Sequence, residues 1–169
     1  MRKSLEAISL MVLAWTGWIT WQALHGAEQL PARIATHFDA AGNPNGWGEP
    51  SMLPLFPAVA VVLYLGMTLA ARFPAFFNYP VAVTAENRPR LEALALDMIA
   101  WLKMEMVCLF AWIQWTIIEM ARRGRGDLSA WLIPVSMGAI FATIAWFIVA
   151  MRRAAHTGSG SQFPDNVRQ

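Results

Sequence analysis

Four blocks of about twenty apolar residues dominate the chain, at about 5–24, 52–71, 95–120 and 128–151, separated by polar, glycine- or arginine-bearing stretches. A helix rises about 1.5 Å per residue, so each block is long enough to cross a hydrocarbon core about 30 Å thick. The pattern predicts an all-α integral membrane protein with four transmembrane helices in a bundle and a short ordered loop cap between helices 1 and 2. Residues 1–151 form the membrane domain, and the Gly-, Ser- and polar-rich segment 152–169 reads as a flexible cytoplasmic tail.

The first block follows Arg2 and Lys3, as a signal peptide would. Its apolar run exceeds the roughly 7–15 residues of a signal core, and Trp15, Trp18 and Trp21 occupy the region where small residues precede a cleavage site. An uncleaved anchor is therefore expected. Pro54 and Pro57 fall near the start of the second block, where a missing N–H is least damaging, and Ser51 is the expected cap.

Composition supports this pattern. Hydrophobic residues make up 57% and charged residues 14%, against roughly 45–50% and 25% in soluble domains. The net charge of +2 does not point to nucleic acid, because the basic residues flank apolar blocks. They are commoner at the N-terminus (Arg2, Lys3), the second loop (Arg72, Arg88, Arg90) and the tail (Arg152, Arg153, Arg168) than in the first loop (Arg33) and third loop (Arg122, Arg123, Arg125). That bias predicts cytoplasmic termini and an outward first loop, with Trp18, Trp21, Trp112, Trp115 and Trp131 at the outer interface. Cys108, alone inside an apolar block, rules out a disulfide framework and a CxxC pair.

The first loop, LPARIATHFDAAGNPNGWGEP, differs from the rest of the chain. Its first half is extended and proline-led, and GNPNGWG is turn chemistry: Asn43 suits an Asx-type turn, Pro44 fixes φ, and the glycines accept left-handed conformations. Phe38 and Trp47 are the expected anchors, folding back onto the bundle or into the headgroup layer. His37 and Asp39, with His25 and Glu28 upstream, could be assembled into a metal site, but no His-x-x-x-His spacing or cysteine supports one. The expected arrangement is a structural loop with no metal, in which His37 bonds the loop backbone and Asp39 acts as a turn acceptor.

The order Leu-Pro-x-Arg-Ile-x-x-His-Phe, then Gly-x-Pro-x-Gly-Trp-Gly, followed by a proline-containing span, resembles the signature of the DUF1648 family of bacterial membrane proteins over residues 30–57. Arg33, His37, Phe38, Gly42, Pro44, Gly46, Trp47 and Gly48 carry the likeness. The same domain forms the N-terminal part of SdpI-type immunity proteins, which protect a cell against a secreted killing peptide and hold a repressor at the membrane. This chain shows no extra helical module, so immunity itself is not carried over. The resemblance implies a multi-pass protein of the bacterial cytoplasmic (inner) membrane, with Arg33, His37, Phe38, Asp39 and Trp47 as candidate binding residues of the loop.

The third block contains Asp97, Lys103, Glu105, Gln114 and Glu119. Ionisable groups in hydrocarbon cost about 2.5–3.5 kcal/mol each on insertion scales, so they are functional candidates by default. At about 100° per residue, Asp97, Trp101, Glu105, Cys108, Trp112, Trp115 and Glu119 share a stripe, with Lys103 and Gln114 roughly opposite. Lys103 is expected to snorkel to the cytoplasmic interface. Glu105 is expected to stay neutral or bond across helices; on a transporter reading it faces a partner such as Gln22 in a polar cavity.

No Gly-x-Ser-x-Gly, phosphate loop, HExxH or dinucleotide fingerprint occurs, so neither an enzyme nor a cofactor is expected. The leading expectation is a membrane protein that senses or binds an extracytoplasmic peptide or envelope component through residues 30–50. The alternatives are an accessory subunit of a larger membrane complex and a small transporter using Glu105. The expected partners are the lipid bilayer and such a peptide or neighbouring subunits, not nucleic acid.

Overall fold

A computed structural model describes residues 1–27, 29–124, 126 and 128–156. Helix α1 spans Arg2–His25, an antiparallel hairpin follows with β1 at Ile34–Phe38 and β2 at Pro44–Gly48, and α2 spans Leu55–Ala70. A linker then leads to α3 at Arg88–Arg123 and α4 at Leu132–His156. Among the described residues, three helical segments are long and apolar enough to cross a membrane: Arg2–His25, Pro50–Ala70 and Leu132–Ala155.

The expected third span lies in α3, a helix of 36 residues that is about 54 Å long at 1.5 Å per residue. It is not among those three, because its length is interrupted by Asp97, Lys103, Glu105 and Glu119. It also begins well before residue 95. Thr84 and Asn87 fasten its start, with the Thr84 N–H donating to Asn87 Oδ1 at 2.8 Å and Asn87 Nδ2 donating to the Ala82 carbonyl at 3.0 Å. Pro89 occupies the first turn, where it needs no N–H partner, and Gly124 closes the helix in the left-handed conformation at φ 64°.

Helix α1 packs most extensively on α3. Its buried residues are Leu5, Ser9, Thr16, Thr20 and Ala23, a stripe at helical spacing. Ser9, Thr16 and Thr20 return their hydroxyls to the carbonyls one turn back, so the stripe is narrow, internally bonded and able to approach another helix closely. Ala100, Val107, Ala111 and Ile117 are buried along α3, and Ile117 packs with Ala23 of α1.

Pairs along the α1–α3 contact, Arg2 with Asp97 and Thr20 with Gln114, show that the two helices run parallel. Helix α2 runs against them, since Leu53 packs with Ala23 and Ile117 while Tyr64 reaches Glu6. Helix α4 also runs against α3, with Met151 and Ala154 packed on Leu91 and Ala95. The hairpin and the α2–α3 linker therefore lie at opposite ends of the helix assembly.

Three sequence expectations need correction. The loop cap is a two-stranded hairpin. Ser51 makes no helix-capping bond: it lies in a short 3₁₀ turn, Pro50–Met52, and its hydroxyl donates to Glu49. The last helix continues through Arg152 and Arg153 to His156, past the expected boundary at 151. Residues 157–169 of the expected tail, together with Glu28 and Arg125, lie outside the described residues.

Candidate functional site

The hairpin is irregular, and its motif residues explain why it holds. Ile34 pairs with Gly48, Ala35 with Trp47, His37 with Gly46 and Phe38 with Pro44, with register shifts on either side of His37. Asp39 organises the turn: its Oδ1 accepts the backbone N–H groups of Ala41 and Asn43, both at 2.9 Å. These bonds, the one from Asn43 first, hold its carboxyl below the usual carboxylate range. Asp39 is thus the turn acceptor that the sequence suggested.

Two glycines are required by close approach. Gly42 has φ +87°, and a Cβ there would sit 1.6 Å from the Leu128 carbonyl oxygen. The Leu128 N–H donates to the Gly42 carbonyl at 2.8 Å, tying the hairpin turn to the α3–α4 connection. At Gly46 a Cβ would meet that of His37 at 2.7 Å. His37 itself donates from Nδ1 to Asn45 Oδ1 at 2.5 Å, so its partner is a side chain and not the expected loop backbone.

The two expected anchors separate. Phe38 packs against the buried cluster of Ala23, Ile34, Leu53, Ile117 and Ile118. Trp47 stays 53% exposed and does not bury itself on the bundle. It forms the wall of a cleft of about 260 Å³ between the hairpin and the end of α3, together with Pro31, Arg33, Ala35, Met120 and Ala121. Arg33 donates one guanidinium N–H to the Trp47 carbonyl at 3.3 Å, and guanidinium carries further donors in a rigid fork. The cleft joins an apolar floor, an indole and a cation.

His25 does not join His37. It bonds the Trp21 carbonyl through Nδ1 at 3.1 Å and stacks on the Trp21 ring. Among the described residues no three His, Cys, Asp or Glu side chains gather closely enough to hold a metal ion. Trp18 stacks on Trp21, and Trp112 meets Trp115 edge to face, both pairs near the hairpin end.

The polar residues of α3 divide among three neighbouring helices, α1, α2 and α4. Lys103 does not snorkel: at 2% exposure it is buried against α1 and α2. Its ammonium donates to the Glu6 carboxylate and to Thr68 Oγ1, the latter at 3.0 Å, and lies 4.7 Å from the Tyr64 ring centroid. Tyr64 donates to the other Glu6 oxygen at 2.5 Å. Gln114 donates to Thr20 Oγ1 at 2.8 Å.

Glu105 faces α4 and not Gln22, accepting the Thr143 hydroxyl at 2.5 Å. Its other oxygen is buried without a partner among the described residues. The node of Glu6, Tyr64, Thr68 and Lys103 escaped the sequence reading. Lys103 stands out in the third block and Glu6 at the start of the first, but no local pattern pairs them.

Comparison with known proteins adds identity over part of the chain. Over an alignment of 61 positions that covers 31% of this chain, it is 39% identical to an "Uncharacterized protein" from Archaeoglobus fulgidus. The aligned part is 33% of that relative, so the chain spans about a third of the length of the protein it matches. No solved structure matches. The family model described as "Domain of unknown function (DUF1648)" matches residues 10–61. That range takes in most of α1, the whole hairpin and the first turns of α2, and over it the chain carries a DUF1648 domain.

Proposed function

We propose that this is a non-enzymatic, multi-pass protein of the bacterial cytoplasmic membrane whose hairpin faces outward and binds an extracytoplasmic peptide or envelope component. The cleft between the hairpin and α3 carries this reading. Its apolar floor suits a side chain of the ligand, and Arg33 has donors for a carboxylate or a peptide carbonyl. Phe38 and the Gly42–Leu128 contact support the wall that Trp47 and Arg33 present.

In this reading α3 is a fourth span. Its one buried cation is paired and its mid-helix carboxylate bonds α4, which lowers the cost of placing both in hydrocarbon. The termini are cytoplasmic, because Arg2, Lys3, Arg72, Arg88, Arg90, Arg152 and Arg153 gather at the end opposite the hairpin.

A photocrosslinking amino acid at exposed Ala32, introduced in intact cells, should trap a discrete partner. Replacing Arg33 and Trp47 together with alanine should abolish that adduct at unchanged protein level. An adduct pattern that survives both replacements sinks the reading.

A second reading, an accessory subunit of a larger membrane assembly, draws on α4. That helix packs chiefly on α3 and leaves Val135, Phe141 and Trp146 exposed. Gentle detergent extraction followed by mass measurement separates the two: a stoichiometric complex supports the subunit, and a lone chain ends it.

A further inference from the structure

A second cavity, of about 680 Å³, lies at the end opposite the hairpin, between the α2–α3 linker, the start of α3 and the end of α4. Phe77, Tyr79, Ala95, Ile99, Ile144 and Ile148 line it. The volume is in the range of small-molecule sites, but the wall is mainly hydrocarbon, with Asn78 and Tyr79 as its polar side chains. The Tyr79 hydroxyl is already committed to the Pro74 carbonyl at 3.1 Å. An occupant of this cavity is therefore aliphatic along its inserted part.

The rim has the opposite chemistry. Helix directions bring Arg72, Arg88, Arg90, Arg152 and Arg153 to this end, all exposed. Among the described residues the nearby carboxylates are fewer: Asp97 holds Arg2 at 2.8 Å, Glu92 lies 3.7 Å from Arg88, and Glu86 lies in the linker. Phe76, 83% exposed, projects from the same linker.

From this pairing of an aliphatic cavity with a cationic rim, we propose that the protein holds one anionic glycerophospholipid here, an acyl chain between α3 and α4 and the phosphate among the arginines. The site rests on the membrane reading of α3 and α4. It is independent of what the hairpin binds, so either can fail alone.

The test uses the full chain in mild detergent, with dioleoyl-phosphatidylglycerol and dioleoyl-phosphatidylcholine as probes and native mass spectrometry as the readout. One phosphatidylglycerol per chain should persist under conditions that strip phosphatidylcholine. Replacing Arg152 and Arg153 with glutamine should weaken retention about fivefold per charge removed, the effect of about 1 kcal/mol for each basic residue near the surface. Ile144→Trp and, separately, Ile148→Trp fill the cavity and should lower retention about tenfold or more.

Equal retention of the two lipids by the unmodified protein overturns the proposal. So do tryptophan variants that melt like the unmodified protein and hold phosphatidylglycerol as well. A phosphatidylglycerol with a photoreactive acyl chain tests placement without any substitution. Adducts at Ile99, Ile144 or Ile148 support the site, and adducts confined to α1 and α2 refute it.

Discussion

Lys103 of α3 donates to the carboxylate of Glu6 in α1 across 97 residues of chain, and both reach α2 through Thr68 and Tyr64. The node gives the three helices a fixed register where apolar packing alone would let them slide. The two halves of the pair are not equivalent: the Lys103 side chain is 3% exposed and that of Glu6 34%.

Removing Glu6 strands a buried cation, whereas removing Lys103 leaves a carboxylate still bonded by Tyr64 and open to water. Breaking a buried ion pair typically destabilises by about 3–5 kcal/mol. Glu6→Gln is expected near the lower end of that range, about 3 kcal/mol, and Lys103→Met should lose less. The double variant should recover most of the loss, because it buries no unpaired charge. Unfolding in mixed micelles by a graded denaturing detergent measures all three. If the double variant is as unstable as the sum of the singles, the pair is not the register element described.

The sequence shows how much of this could be anticipated. Apolar block length located α1, α2 and α4 to within a few residues, because crossing hydrocarbon constrains length directly. The first turns of α3 are polar and rest on the Thr84–Asn87 lock, which hydropathy cannot register. Asp39 could be placed as a turn acceptor from local chemistry, but the strand after it, Pro44–Gly48, contains a proline and two glycines that argue against a sheet. The snorkelling expected of Lys103 follows from its depth along one helix alone. Its partner lay on another helix, and no local pattern reports how α1 and α3 align.

Gly42 should tolerate no side chain. Gly42→Ala forces a Cβ into the Leu128 carbonyl and into a positive-φ conformation, at a cost of about 1–3 kcal/mol from backbone strain alone. Gly124→Ala makes the informative comparison, since its φ is +64° but no atom of the described residues lies within 4 Å of the added carbon. The first variant should release the hairpin from the α3–α4 connection, seen as faster hydrogen exchange at the Leu128 amide, and the second should not. Equal exchange in the two variants would mean that the Gly42–Leu128 contact is not what holds the turn.

The hairpin turn should outlast ordinary carboxylates in acid. Its folded carboxyl titrates below the usual value because Asn43 and Ala41 donate to the ionised form. A lowered folded pKa contributes stability above the unfolded pKa of about 3.9, and that contribution is lost as pH falls through the lower folded value. The Ala41 and Asn43 amide proton shifts should therefore titrate with a midpoint below the usual carboxylate value. Asp39→Ala should abolish the transition. A midpoint above the usual carboxylate range would contradict the turn geometry.

Orientation can be decided with two engineered thiols. Ala40 lies in the hairpin turn and Ala85 in the α2–α3 linker, both exposed and at opposite ends of the helices. With Cys108 replaced by serine, a membrane-impermeant maleimide applied to intact spheroplasts should label a cysteine at position 40 and leave one at 85 untouched until the membrane is opened. That result fits outward binding and a cationic end facing the anionic cytoplasmic leaflet. Labelling only at 85 would invert the topology and place the Arg33–Trp47 cleft in the cytoplasm, and labelling at both positions would mean that α2 does not span. The first outcome removes the extracytoplasmic ligand; the second leaves the cleft outside but removes the span assigned to α2, because the cleft and the linker are separated by the full length of α2 and cannot share a compartment if that helix crosses the bilayer.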